Sequence, residues 1–283
     1  MTRIAVFFAC VLLAGIASAA QKAPPPNAPL PNPTELLQRA IANEKKLAAE
    51  LERYECHVTD VTTETDKYGN VKKTTTEVKE QFFVNGIAVD RTLAKDGKDL
   101  TPDEVKKQDD RVMKETLKYS NQSAANKETD KQNQEAQDFL AAMMLANGHR
   151  QMENGRSVLY YNIVPNPKFQ AKNLTQRAAT VMQGAVSIDE QSGEVIDLNI
   201  KSVADLKIAG GMVADLHKGA WLHIHNQAQP DSVWLTDLAE FNGDARAALF
   251  FHPYFRFKET TDGCHLYSAT ATQVGQAQPV KKH

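Results

Sequence analysis

From Ala185 to Ile188, and again from Val195 to Ile200, apolar and polar residues alternate. Val186 and Ile188 point one way in the first run. Val195, Ile196, Leu198 and Ile200 are the apolar members of the second. The polar stretch Asp189 to Gly193 separates them. Period-two alternation on both sides of a glycine-containing loop is a β-hairpin signal. A third run, Val203 to Ile208, ends at Gly210-Gly211, and another strand-like run begins past Gly219. The whole stretch reads as a meander of antiparallel strands with one apolar and one polar face. An apolar sheet face has to lie against something. What covers it governs what the chain can do.

Further strands are expected on both sides of this meander. Tyr54 to Asp66 and Val71 to Val84 are rich in Val and Thr and flank a Lys67-Tyr68-Gly69-Asn70 turn. Asn85-Gly86 is a strong hairpin signal leading into Ile87 to Leu93, and Asp96-Gly97 turns the chain again. Val158 to Val164, Ala220 to Asn226, a strand starting at Val233-Trp234-Leu235, and Ala247 to Lys258 complete the set. Glu259 onward is polar.

Helices are expected at four places. Asn32, Pro33 and Glu35 suit the cap, first and third positions of a helix running to Arg53, with Leu37, Ala40, Ile41, Leu47, Ala48 and Leu51 along one stripe. Thr101 and Glu104 form a capping box around Pro102. The helix they start is very polar, with Val105, Val112, Met113 and Leu117 as a thin seam. Asn121 to Asn133 reads as a flexible loop or frayed helix. Ala136, Phe139, Leu140, Met143 and Met144 restore a helical stripe that Asn147-Gly148 ends. Thr175 to Met182 reads as a short helix. The helical part is thus an insertion around residues 101–149 between the early strands and the later sheet.

The ends bear on compartment. Arg3, the apolar run Ile4 to Ile16 and the small-residue site Ala17-Ser18-Ala19 together form a secretory signal peptide over residues 1–19. Phe7-Phe8-Ala9 ahead of Cys10 is a poor lipobox, so lipidation is not expected. Residues 20–33 are proline-rich and read as an extended tether. One domain is expected over residues 34–270, and a disordered tail over 271–283. The expected location is periplasmic or secreted, with no transmembrane segment in the mature chain. Export leaves Cys56 and Cys264 where disulfides persist. Whether they pair or stay separate thiols is open at this level.

Chemical motifs are sparse. A formal net charge of -2, with basic residues not clustered among aromatics, gives no reason to expect nucleic acid. There is no G-x-S-x-G, P-loop or dinucleotide-binding glycine pattern, and no cofactor is expected. His223 and His225 sit at i and i+2 and would share a strand face, which makes them weak metal candidates lacking a third ligand. Asp103, Glu104, Asp109, Asp110 and Glu115 alternate with Lys106, Lys107, Arg111 and Lys114, the pattern of an exposed charged face. The remaining candidates are large apolar side chains, which build cores and also line ligand cavities. They are Phe82, Trp221, Trp234, Phe251, Phe255 and Phe257 in strand-like runs, with Phe139 and Met143 on the helical insertion.

The order of signal peptide, amphipathic helix, antiparallel strands, helices and long meander resembles the LolA/LolB-like superfamily of periplasmic lipoprotein carriers. Gly184 to Asp189 followed by Gly193-Glu194-Val195-Ile196-Asp197-Leu198 is similar to that family's hairpin. The stretches FFVNG, KDGKDLTPDEV, VPNPKF and ALFFHPYFRF look like an exported bacterial branch of it. The resemblance spans roughly Thr34 to Tyr267. It implies an α+β fold: a curved antiparallel sheet forming an incomplete, half-open β-barrel, with helices over the concave side. It also implies a non-enzymatic protein that binds a lipid, a lipoprotein acyl chain or another hydrophobic ligand. The polar segment Lys106 to Gln134 departs from a minimal carrier, and no position here takes over the carriers' functional basic residue. An envelope interaction or sensor module with a filled core is the alternative, and a metal-dependent envelope enzyme a weaker one.

Overall fold

A computed structural model describes residues 28–33, 35–36, 38–39, 50–66, 68–208, 214–244 and 254–266. The expected signal peptide at 1–19, most of the proline-rich stretch expected to be a tether, Gly210-Gly211, Phe251 and the expected tail at 271–283 lie outside them.

Strands β1 (Tyr54–Thr65), β2 (Val71–Val84), β3 (Ile87–Lys95) and β4 (Lys98–Asp99) form a meander. Helices α1 (Pro102–Ser120) and α2 (Gln122–Ala141) follow, then β5 (Met143–Glu153) and β6 (Arg156–Pro165). After α3 (Leu174–Ala179) come β7 (Met182–Asp189), β8 (Val195–Ser202), β9 (Leu206–Ile208) and β10 (Ala214–Leu216). The last strands are β11 (Trp221–Ala228), β12 (Trp234–Asp244) and β13 (Tyr254–Leu266). The fold is mostly β within the α+β class. Eleven strands make one open antiparallel sheet in the order β4-β3-β2-β1-β13-β12-β11-β8-β7-β6-β5, and β9-β10 form a separate two-stranded ribbon.

Local chemistry explains the turns. Asn85-Gly86, Asp96-Gly97 and Asn154-Gly155 each place both residues at positive φ (49° and 78°, 51° and 73°, 47° and 80°). That is the two-residue geometry whose twist matches paired strands. Thr101 caps α1: its hydroxyl accepts from the Glu104 amide, and the Glu104 side chain accepts from the Thr101 amide.

Four expectations change. Residues 121–133 are neither loop nor frayed end. Asn121 caps α2 by accepting from the Ser123 and Ala124 amides, and the segment behind it is rich in helix-forming Ala, Lys, Glu and Gln. The helical stripe through Met143 and Met144 divides: α2 ends at Ala141, and the methionines open β5. Asn147 (φ 52°) lies at a register shift inside β5 and is not a helix cap. The run from Val203 to Ile208 contributes only β9, so β8 pairs directly with β11. The polar stretch after Lys258 is the second half of β13, held because β1 pairs with it from Tyr54↔Leu266 to Thr65↔Tyr254.

One face of the sheet carries the core. Register places Phe257, Phe241, Leu222, Ile200, Gly184, Ile163 and Leu145 in one row across seven strands. Leu36 and Phe139 pack on the β5–β8 end of this face with Ala142 and Ala179. A second cluster joins Leu51, Tyr54, Cys56, Val233, Trp234 and Leu235. The Cys56 and Cys264 sulfurs are bonded, closing a separation of 208 residues, which the chain-entropy account values at about 5 kcal/mol. The opposite face is polar: Asp197, Asn199, His223, Glu240 and Lys258 alternate outward. Helix α1 lies on that side of β3, where Arg91 pairs with Asp109 and Val89 is fully buried.

Gly184 marks a close approach of β7 and β8. A Cβ there would stand 1.9 Å from the Asn199 carbonyl oxygen and 2.7 Å from Ile200 Cα. Both are backbone atoms, so neither can rotate away. Gly184→Ala is expected to lower stability by at least about 1–3 kcal/mol, measured by urea denaturation. Wild-type stability in that variant would contradict the β7–β8 geometry.

Candidate functional site

The core face changes character along its width. On β6, β7 and β8 it holds the most deeply buried side chains, with Leu159, Ile188 and Ile200 at 0%, 2% and 0% exposed, although Leu198 is only partly buried. On β12 and β13, Phe241, Phe255 and Phe257 are only partly buried. Phe241 and Phe255 lie with ring centroids 5.3 Å apart, and Phe257 is the cross-strand partner of Phe241. The result is a partly covered aromatic strip beside the buried core.

Beside the strip the same face turns ionic. In β1 the buried register runs Tyr54, Cys56, Val58, Asp60. Asp60 stands opposite Glu259 of β13, two residues along the strand from Phe257. Lys79 of β2 donates to Asp60 Oδ2, and its ammonium is 3.7 Å from Asp90 Oδ2 on β3. Gln81 donates to Asp90 Oδ1 at 3.0 Å, and Thr92 is buried next to Lys79. Asp60 and Lys79 are each 8% exposed. Three carboxylates therefore surround one ammonium inside the sheet's covered face.

Burial raises the Asp60 carboxyl against the pull of Lys79. Burial alone would lower Lys79, but Asp60 and Asp90 carry it above its ordinary value. Burial, reinforced by Asp60 and Asp90, pushes the Glu259 carboxyl up to about 8.

A second buried charge pair fixes the chain's N-terminal side. Arg150 of β5, with a side chain 1% exposed, forks onto Glu190 at 2.6 and 2.5 Å. It also donates to the carbonyls of Ala28 (2.7 Å) and Pro29 (3.3 Å). Ser157 donates to Glu190 as well, at 2.5 Å. Burial opposes ionisation of Glu190, but the bonds from Arg150 and Ser157 win and hold its carboxyl below the usual range. The end of the proline-rich segment is thereby tied to the sheet edge.

The sequence candidates fall in different places. Phe139 and Met143 enter the core at the β5 end. Phe255 and Phe257 belong to the aromatic strip, and Trp234 is buried with Tyr54 and the disulfide. The Arg156 guanidinium covers the Trp234 ring at 5.4 Å. Phe82, cross-strand from Val89, and Trp221, cross-strand from Asn242, alternate onto the opposite face. His223 and His225 share the outer face and each meets a carboxylate, Asp197 at 2.7 Å and Asp237 at 2.6 Å. Asp237 is the extra residue of a β-bulge. Among the described residues no three His, Cys, Asp or Glu are grouped to hold a metal ion.

The ionic cluster is absent from the sequence candidates, although a signal was there. Asp60 continues the register of Cys56 and Val58. Glu259 continues that of Phe255 and Phe257, and Lys79 that of Phe83. A charge at an apolar-register position is an inward-pointing charge until a bulge intervenes.

Removing Lys79 leaves buried carboxylates without their counter-charge. Lys79→Met is expected to cost about 3–5 kcal/mol at neutral pH. The loss should shrink as acid neutralises Asp60, whose carboxyl burial raises. Chemical denaturation at several pH values reads both. A small, pH-independent loss would show that the ammonium does not compensate this cluster.

No protein-family model and no curated protein matches the chain.

Proposed function

We propose that this chain is an exported, non-enzymatic protein that binds an acyl chain or similar hydrophobic ligand along the core face of its sheet. In this reading the sheet is bent into a half-barrel, and the helical segments at Leu36 and Phe139 act as a lid. The observation that carries it is the partly covered aromatic strip of Phe241, Phe255 and Phe257 at one end of the apolar face. Each methylene such a strip takes from water is worth about 0.8 kcal/mol, so a modest groove suffices for lipid.

Two features support the bent sheet. Helix α2 touches both β3, beside one edge, and β5, the other edge. Laid flat at about 4.8 Å per strand, those strands would stand about 43 Å apart, whereas a helix of α2's 20 residues is about 30 Å long. Gly184 also brings β7 and β8 closer than any side chain permits, as at the corners of barrels. The signal peptide and the resemblance to lipoprotein carriers agree with this reading, which places the protein in the periplasm or outside the cell.

Native mass spectrometry of the mature protein, purified gently from an envelope fraction with lipid extraction alongside, tests it. A stoichiometric acylated species is expected. In Phe257→Glu its occupancy should fall about tenfold, equivalent to about 1.4 kcal/mol, with an unchanged circular dichroism spectrum. A bare wild-type mass, or undiminished binding in a folded Phe257→Glu, would overturn the proposal.

A further inference from the structure

We propose that Glu259 and Asp60 share a single proton across the β1–β13 ladder, and that this acid–carboxylate pair is a proton-operated latch on the seam joining the first four strands to the rest of the sheet.

The argument starts from an orphan atom. Asp60 Oδ2 accepts from Lys79, but Asp60 Oδ1 is enclosed and receives no N–H or hydroxyl donor. A buried carboxylate oxygen without a donor is costly. The group that faces it is the Glu259 carboxyl, directly opposite in register and close enough to perturb Asp60. Two ionised carboxylates at that separation repel. With one proton between them, Glu259 donates, Asp60 accepts and the orphan is satisfied.

The surroundings agree. The charged groups that face the pair are Lys79 on β2 and Asp90 on β3. Glu77, cross-strand from Asp60, is engaged by Lys95 at 3.0 Å. On β12 the residue opposite Glu259 is Ala239, which carries no charge. With the proton in place the cluster has one uncompensated negative charge. Without it there are two, in a site largely closed to water. Burial and the neighbouring carboxylates hold the Glu259 proton to about pH 8.

The latch has a position as well as a chemistry. At one end of the seam Cys56 and Cys264 are covalently joined. Beyond the Asp60–Glu259 pair the seam continues through Val61–Thr65 against Tyr254–Lys258, with no second disulfide, and Phe255 and Phe257 lie on that stretch. When Glu259 gives its proton to a solvent base, repulsion loosens the far half of the seam while the disulfide holds the near half. The sign follows from linkage. A carboxyl raised in the folded state strengthens the seam at low pH and loses that contribution as pH rises through its folded value. The latch does not depend on lipid binding. Where the aromatic strip takes an acyl chain, the same proton controls access to it.

Carboxyl-resolved carbon-13 NMR of glutamate-labelled full-length mature protein tests the shared proton, with Glu259→Gln identifying the resonance. Should that variant fail to fold, through-bond correlation in the wild type assigns the same signal. A Glu259 midpoint above neutrality is expected; titration near the ordinary glutamate value of about 4.3 would overturn the proposal. Hydrogen exchange, corrected for intrinsic base catalysis, tests the latch. In the wild type, protection of amides 61–65 and 254–258 should fall about tenfold per pH unit between the ordinary glutamate value and the Glu259 midpoint and level off above it, with residues 54–58 unchanged. The fall should vanish in Glu259→Gln. Parallel loss in both proteins, or no loss in the wild type as pH rises toward the midpoint, would refute a latch. Neither readout requires a ligand, so failure of the lipid proposal leaves this one testable on its own terms.

Discussion

The pairing of β1 with β13 is the contact on which the sheet depends. It alone joins β1 to β4 with the seven strands β13 to β5, and it unites segments about 200 residues apart in sequence. Closing so long a loop is entropically expensive, and the Cys56–Cys264 bond offsets much of that cost by constraining the unfolded chain. Once the seam exists, every other pairing in the large sheet but one joins strands consecutive in the chain. The exception, β8 with β11, spans only the small β9-β10 ribbon. One long-range contact therefore organises a set of local ones.

The seam also sets the place of the helices. It makes β4 and β5 the two free edges, and these are the strands that α1 and α2 connect. The connection does not lie on one side only. Helix α1 covers the outer side of β3 through Arg91 and Asp109, whereas the end of α2 delivers Phe139 to the core face beside Met143. With no fully buried residue on α1, and Val105, Met113 and Leu117 exposed, that helix gains little from apolar packing. Its capping box and the donation from Arg111 to the Asp90 carbonyl hold it instead.

Much of this was legible in the sequence where local rules and tertiary needs agree. The hairpins at Asn85-Gly86 and Asp96-Gly97, the capping box at Thr101, and the alternation at Val186 and Ile188 all read directly. Reading failed where one signal has two uses. Asn147-Gly148 resembles a helix terminator but lies at a strand irregularity, and Asn154-Gly155 is the true hairpin. The stretch Met143–Glu153 has no clean alternation, because the register shift between Ala146 and His149 breaks its phase. Glu259–Leu266 looks like a polar tail, since nothing local reveals that β1 will pair with it. Half of the candidate site was visible in Phe255 and Phe257. The ionic half was not, because Asp60, Lys79 and Glu259 each pass for a surface residue until three strands bring them together.

That ionic half is hard to explain as a stability device. The same cross-strand row continues from Glu259 through Ala239, Ile224, Leu198 and Val186, all apolar. Apolar residues at 60, 79 and 259 would extend the packed face without desolvating any charge, and such replacements are often neutral or stabilising. The cluster is not even balanced, since three carboxylates share one ammonium. It occupies the middle of the seam, between a covalent staple on one side and the partly covered aromatic strip on the other. A chain otherwise locally consistent departs from its own pattern at the position where opening the sheet would expose the strip. Such departures mark function more often than architecture, and this one confers a response to protons that an apolar seam would lack.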